Sequence, residues 1–420
     1  MRHFKLSPMV VALLLASPVA MASESAAQLI DDSKVSVDAR YRFEHVDQDN
    51  ALHHANAQTL RARVGLQSGK WYGVSGLIEG DHVARIDNDR YNDTRNKQTA
   101  YSLVPDPDGS EINQALLRYE HSLGNVTAGR QRINLDNQRF VGGVAWRQNE
   151  QTYDGALGQL KPLKNLTLTY AYIDNINTIF GPDGSGILKT NPANITGHSQ
   201  LFNVKYAPLP ALAATAYQYQ LGLDNLGFAN TAPAPVGTLS SQTTGLRLNG
   251  TVHGVSYTAE YAEQQEHDSN PLDLDSRYTL AELGYTLHGE TLKGLAIKAG
   301  YEVLGGSNDT VNNRAFQTPL ATKHAFQGWA DLFLTTPNGG VKDAYAGATT
   351  PLLGGSLQVW YHEFRADKGS NPYGEELDAS YSHAIPGVKG LSALVKVASY
   401  DANRFSVDTD KVWLQLQYSH

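Results

Sequence analysis

Between Gln58 and Asp81 the chain sorts its residues by parity. Leu60, Ala62, Val64 and Leu66 form one row, and Thr59, Arg61, Arg63 and Gln67 the other. After the turn Ser68-Gly69-Lys70, Tyr72, Val74, Gly76 and Ile78 face away from Ser75, Glu79 and Asp81. The pattern recurs to the end of the chain. Val35, Val37, Ala39, Tyr41 and Phe43 oppose Asp38, Arg40, Arg42 and Glu44; Val412, Leu414, Leu416 and Tyr418 oppose Lys411, Gln415 and Gln417. A period of two sustained over about ten residues is the pattern of a β-strand with two unlike faces. No long window carries a comparable 3.6-residue period.

The connections alternate in length. Short ones, such as QSGK, SLGN, KPLKN, VHG and PLLGG, alternate with long polar ones, among them 86–111, 134–150, 175–199, 223–241 and 305–340. Short turns on one rim and long loops on the other characterise a bacterial outer-membrane barrel. Counting gives 18 strand-like stretches without HAFQGWADLFL (324–334) and 19 with it. A single-chain bacterial barrel takes an even number. The short turns stay in phase only if 324–334 belongs to the loop after the strand ending near Leu304, folded over or into the mouth. The fold expected is all-β: an 18-stranded antiparallel transmembrane β-barrel with short periplasmic turns and long extracellular loops. Eighteen tilted strands would enclose an aqueous channel. A soluble β-sandwich would bury the apolar rows between sheets, but would account for neither the unequal rims nor the recurrent charges.

Composition sharpens this picture. The 420 residues contain no cysteine, so an exported fold would not rest on disulfides. The opening MRHFKLSPMVVALLLASPVAMA has a basic start, a short apolar run and a small-x-small end, and reads as a signal peptide over 1–22, leaving 23–420 as a single barrel. No other stretch is long and apolar enough for a membrane-spanning helix. A formal net charge of −8 argues against a nucleic-acid partner. The 22 tyrosines, with Tyr72, Tyr172, Tyr206 and Tyr418 towards strand ends, suit aromatic girdles at the headgroup level.

The polar rows carry charges of both signs. An Arg facing lipid at mid-bilayer costs about 2–4 kcal/mol, which turns Arg40, Arg42, Arg61 and Arg63 inward as a guanidinium ladder on neighbouring strands. Arg118, Lys205, Arg247, Lys298, Lys396 and Lys411 extend the basic set; Glu44, Glu79, Asp81, Glu120, Glu260, Glu282, Glu302, Glu376 and Asp378 are the acidic set. Such a ladder either binds carboxylates in bidentate fashion and favours anions, or pairs across the lumen and sets only the shape and field of the pore. The acidic loop around Asp87, Asp89 and Asp93 is a weak candidate for a hard cation. Nothing isolates a catalytic set, and no cofactor is called for.

The densest cluster is GRQRINLDNQRFVGGVAWRQNEQTYDG (129–155), with Arg130, Arg132, Asp136, Arg139, Trp146, Arg147 and Asp154. It is either a site for a sugar acid, guanidinium on carboxylate and indole on the pyranose face, or a folded-in loop held by its own ion pairs. This stretch and TPLATKHAFQGWADLFLTTPNGGVKDAY (318–345) resemble the alginate-export family of outer-membrane porins. The resemblance implies an 18-stranded barrel with an arginine-rich lumen that conducts an anionic polyuronate. It carries a role in the pore to Arg130, Arg132, Asp136, Arg139, Arg147, Trp329 and Asp331. It also implies outer-membrane lipid and lipopolysaccharide as surroundings, an anionic saccharide or small anionic solute as cargo, and room for a periplasmic export partner. A general diffusion porin, or a barrel serving as an adhesin through its long loops, are the other readings of the same pattern.

Overall fold

The computed structural model describes residues 27–420 except 87–89, 183–190, 229–236, 269, 288–293, 310 and 370; the expected signal peptide lies outside the described residues. A short helix, α1 (Gln28–Asp31), precedes the strands β1 (Lys34–Gln48), β2 (Ala55–Gln67), β3 (Val74–Arg85), β4 (Gly109–His121), β5 (Gly124–Gln131), β6 (Thr152–Leu163), β7 (Leu166–Asn177), β8 (Asn194–Leu209) and β9 (Leu212–Leu221). There follow β10 (Ser241–Val252), β11 (Val255–Glu266), β12 (Asp275–Thr286), β13 (Ala296–Leu304), β14 (Val341–Leu352), β15 (Gly355–Arg365), β16 (Pro372–Ala384), β17 (Leu391–Ala402) and β18 (Thr409–Ser419). Each strand pairs antiparallel with its sequence neighbours, and β1 pairs with β18, so the 18-stranded sheet closes on itself. Closure satisfies the backbone groups that an open edge would present to acyl chains.

The parity rule holds in space. On the outer face Val64 is 55% exposed and Leu117 64%, whereas inward-facing Arg42 and Arg61 are 1% and 2% exposed. The outer apolar residues have no partner sheet because lipid takes that place. Tyr206, Tyr285 and Tyr418 stand towards the short-turn rim, and Tyr172, Tyr261 and Tyr361 towards the other; the Tyr261 and Tyr361 hydroxyls donate to Glu263 and Glu375 at 2.8 and 2.5 Å. Two short turns, His253-Gly254 and Leu353-Gly354, place both central residues at positive φ, the backbone that suits the twist of a tight hairpin.

Three expectations change. Several strands run further than their pattern suggested: β7 and β8 extend to Asn177 and from Asn194 into what read as loop. The tyrosines are not all girdle residues. Tyr153, Tyr217, Tyr219 and Tyr278 point inward and are buried. Nor does every inward row border water. From β6 to β13 the inner wall carries Ala171, Ile173, Leu201, Leu221 and Leu304, packed against Ile133, Phe140, Phe316 and Leu320 from two loops. The Phe140 ring lies 5.3 Å from both Tyr217 and Tyr278. Part of the lumen is thus filled by the chain's own loops, whose apolar residues pack on this stretch of wall.

Replacing Val64 by Arg, on the lipid-facing row, is expected to destabilise the barrel by up to about 2–4 kcal/mol. Denaturant unfolding from lipid vesicles measures this; an unchanged midpoint would place Val64 away from lipid.

Candidate functional site

Two loops enter the barrel, 132–151 between β5 and β6, and 305–340 between β13 and β14. The segment 324–334 belongs to the second and contributes no strand; its Lys323–Ala325 forms a single 3-10 turn. The loops join through a bridge between Val141 and Leu320, and through Thr322, which donates from its backbone to Gln138 at 3.0 Å. Backbone N–H groups of Trp329 and Ala330 donate to Asp378 and Glu376 on β16 at 3.2 and 2.6 Å. Gly328, at φ 76°, allows this approach: a Cβ there would run into the Glu376 carboxylate.

The ladder on β1 and β2 is present, with Arg40 directly opposite Arg61 in the register. It does not stand open in the lumen, because the 132–151 loop lies on it. Arg40 Nη1 donates to the carbonyls of Ala145, Trp146 and Arg147 at 3.1, 3.3 and 3.2 Å. Arg61 donates to the carbonyl of Gln148 at 3.2 Å and pairs closely with Asp38. Arg63 meets Asp81 at 2.7 Å and Glu150, at the end of the loop, at 3.0 Å. Arg42 donates to Gln415 at 2.7 Å and covers the Trp146 ring at 4.1 Å. The arginines hold the loop down by capping its carbonyls and by charge pairing.

The other expected residues fall into three groups. Arg139, Arg147, Trp329 and Asp331 form the junction between the loops. Arg139 is buried between Glu302 at 2.7 Å, Thr318 at 3.2 Å and Gln327 at 3.0 Å. Arg147 forks onto Glu44 at 2.9 and 3.2 Å and reaches Asp106 and Asp331, each at 3.4 Å. Asp331 also takes His324 at 2.8 Å and Lys411 at 3.3 Å. Arg130, Arg132 and Asp136 anchor the start of the first loop, to Asp154 at 2.8 Å, Glu79 at 2.6 Å and Asn203 at 2.9 Å. Arg118, Arg247 and Lys298 stand apart on the wall, paired with Glu120 at 2.8 Å, Glu260 at 2.5 Å and Glu282 at 3.1 Å. Asp87 and Asp89 lie outside the described residues, and Asp93 accepts the backbone N–H groups of Arg95 and Asn96, each at 2.6 Å.

Of the residues at the centre of the junction, Trp146, Trp329 and Lys396 stand among the sequence candidates, and His324 does not. Lys396 of β17 lies 3.6 Å from the Trp329 ring and 4.3 Å from that of Trp146, and its Nζ donates to His324 Nε2 at 2.7 Å. The Trp146 and His324 rings stack at 4.5 Å and 6°. Trp146 thus meets two cations, Arg42 and Lys396, and stacks on the His324 ring that Lys396 contacts. The inward parity of Lys396 was the available signal. The position of His324 and of Asp106, both on loops, has no sequence period to betray it.

Burial pushes the His324 imidazole down to about 3 despite Asp331 beside it, and Lys396 adds to the shift. It is therefore neutral near neutral pH. Burial alone would raise the Asp331 carboxyl, but His324, Lys411 and Arg147 hold it well below the usual carboxylate range. An undocked imidazole titrates near 6.5, so between 6.5 and about 3 the released loop binds a proton that the docked loop does not. This contribution to docking is fully present above that window and is lost as pH falls through it.

A closed antiparallel barrel of this size, apolar outside and narrowed inside by its own loops, is an outer-membrane channel. The chain belongs to the alginate-export family, whose model matches residues 32–322. No match was found among curated proteins. Solved structures share the fold at low identity. Acinetobacter baumannii OccAB4 superposes with a TM-score of 0.70 at 15% identity, covering 92% of this chain and 98% of that one. Acinetobacter baumannii OccAB2 gives 0.69 at 15%, covering 94% and 99%, and Pseudomonas aeruginosa OccK3 (OpdO) gives 0.66 at 16%, covering 94% and 97%.

Two outcomes follow from the junction. Arg147→Ala leaves Glu44 without its bidentate partner, a loss of about 3–5 kcal/mol at the loop anchor; larger single-channel conductance and faster proteolysis of the 132–151 loop are expected. Acrylamide quenching of tryptophan should rise as pH falls from 6.5 towards 3, and His324→Gln should flatten that rise.

Proposed function

We propose that this channel passes anionic saccharides, uronate oligomers or polymers among them, across the outer membrane. The observation that carries this reading is the excess of cations around Trp146. Arg40 makes its contacts to three loop carbonyls and Gln417, and Lys396 to His324 and indole rings; neither forms a carboxylate ion pair within 4.0 Å among the described residues. Arg42 adds a third positive charge, with its one carboxylate, Asp106, at 3.9 Å. Positive charge held inside a narrowed, low-dielectric passage favours anions and repels cations. The family shown by residues 32–322 supports a polyuronate cargo.

A second reading, a diffusion channel with little preference, is favoured by the pairing elsewhere. Arg63, Arg130, Arg139, Arg147 and Arg247 each face at least one carboxylate. Planar-bilayer recordings in a salt gradient separate the two. The first reading gives reversal potentials of anion preference and block of the current by oligouronates; the second gives neither. The double variant Arg40→Ser with Lys396→Ser is expected to move the reversal potential towards cations. An unchanged potential would remove this cluster from the selectivity of the channel.

A further inference from the structure

Below the 132–151 loop, on the short-turn side of the lumen, the wall formed by β2 to β6 holds a pocket of about 340 Å³. Its position follows from the strands. Arg118 lies three residues before the end of β4, Asn125 is the second residue of β5, and Gln159 faces Asn125 across the β5–β6 pair. Arg132, Ile133 and Leu135 reach down into it from the loop, and Leu157 from β6.

The lining has a specific chemistry. Asn125 donates its side-chain amide to Gln159 Oε1 at 3.4 Å; among the described residues the Gln159 N–H₂ and Asn125 Oδ1 have no other hydrogen-bond partner, a donor and an acceptor side by side. That pair matches a hydroxyl group, which both donates and accepts. Leu157, half-buried against the apolar cluster that contains Ile133, supplies an apolar surface beside it, as the C–H face of a pyranose requires. At one end stands Arg118. Its carboxylate, Glu120, is shared with Lys70, so two cations answer to one anion. The Arg118 side chain is 43% exposed, which leaves surface for a further carboxylate. Arg132, by contrast, is occupied by Glu79 and Glu150 and closes the other end.

We infer that this pocket is a saccharide subsite at the periplasmic half of the lumen, which takes a single uronate residue: carboxylate on Arg118, hydroxyls on Asn125 and Gln159, ring face on Leu157. The inference rests on the reading of the channel as a conduit for anionic saccharides and goes further by fixing one place where the cargo is held. Its volume falls within the range of about 300–1,000 Å³ usual for small-ligand pockets. A chain entering from the periplasm meets this wall before it meets the loops. The cations around Trp146 lie further along the same passage.

The test is sided block of single-channel current by trigalacturonate, with the neutral maltotriose as control. Wild-type protein should be blocked by trigalacturonate at lower concentration from the short-turn side than from the loop side, and maltotriose should block weakly. Loss of a hydrogen bond to a charged group costs about tenfold or more in binding, so Arg118→Gln should raise the half-blocking concentration by that factor from the short-turn side. Gln159→Leu, which removes a neutral hydrogen bond, should raise it by about threefold or more. Heat-modifiable migration on gels confirms that each variant is folded, and Gln159→Leu carries the test if Arg118→Gln fails to insert. Wild-type block that is equal from both sides, or variants blocked like the wild type, would overturn the subsite and leave the transport reading standing. Absence of both anion preference and block in the wild type would overturn the transport reading, and the subsite with it.

Discussion

The whole architecture follows from one constraint: inside a bilayer no backbone N–H or C=O can look outward unpaired. The pairing of β1 with β18 meets it for the first and last strands, and the sheet leaves no edge. Once the sheet is closed, every residue must choose between acyl chains and the interior, and the choice alternates. That is why Val64 and Arg63, adjacent in sequence, differ so sharply in surroundings. The constraint also frees the interior. Since lipid covers the apolar face, the inward side chains are available for charge pairs, apolar packing or cargo.

How much of this was legible depended on whether a residue belonged to a period. The strands, their number and the inward turn of Arg40, Arg42, Arg61 and Arg63 could be read because parity is a repeated signal. The exclusion of 324–334 from the sheet was legible too, since only that choice kept the turns in phase. What the loops do inside the barrel was not. Nothing in the alternation says that Ala145 to Gln148 lie on the ladder, or that Phe140 sits among tyrosines of β9 and β12. Such contacts join residues far apart in the chain, 105 positions for Arg40 with Ala145 and 87 for Arg61 with Gln148, through side chains that obey no spacing. The arginine-rich stretch could be recognised as important, but whether its charges were spent on cargo or on its own anchorage depended on Glu44, Glu302 and Asp106, which are scattered along the chain.

The interior also shows why charge counts mislead. A buried ion pair gains in attraction about what it loses in dehydration, so most of the arginine–carboxylate pairs contribute geometry more than stability. They fix where the loops lie. The field inside the barrel is left to the few cations whose contacts are to carbonyls, amides and aromatic rings, and these cluster around one indole.

The two inserted loops are attached by unlike means on opposite sides. Towards β6–β13 they are held largely by greasy packing, and towards β1, β2 and β16–β18 largely by charges and hydrogen bonds. One attachment behaves as a hinge and the other as a catch. Cooling weakens the first, because the drive to bury apolar surface fades as water cools. Added acid works on the second. The two walls thus hold the same loops against different stresses, one thermal and one chemical.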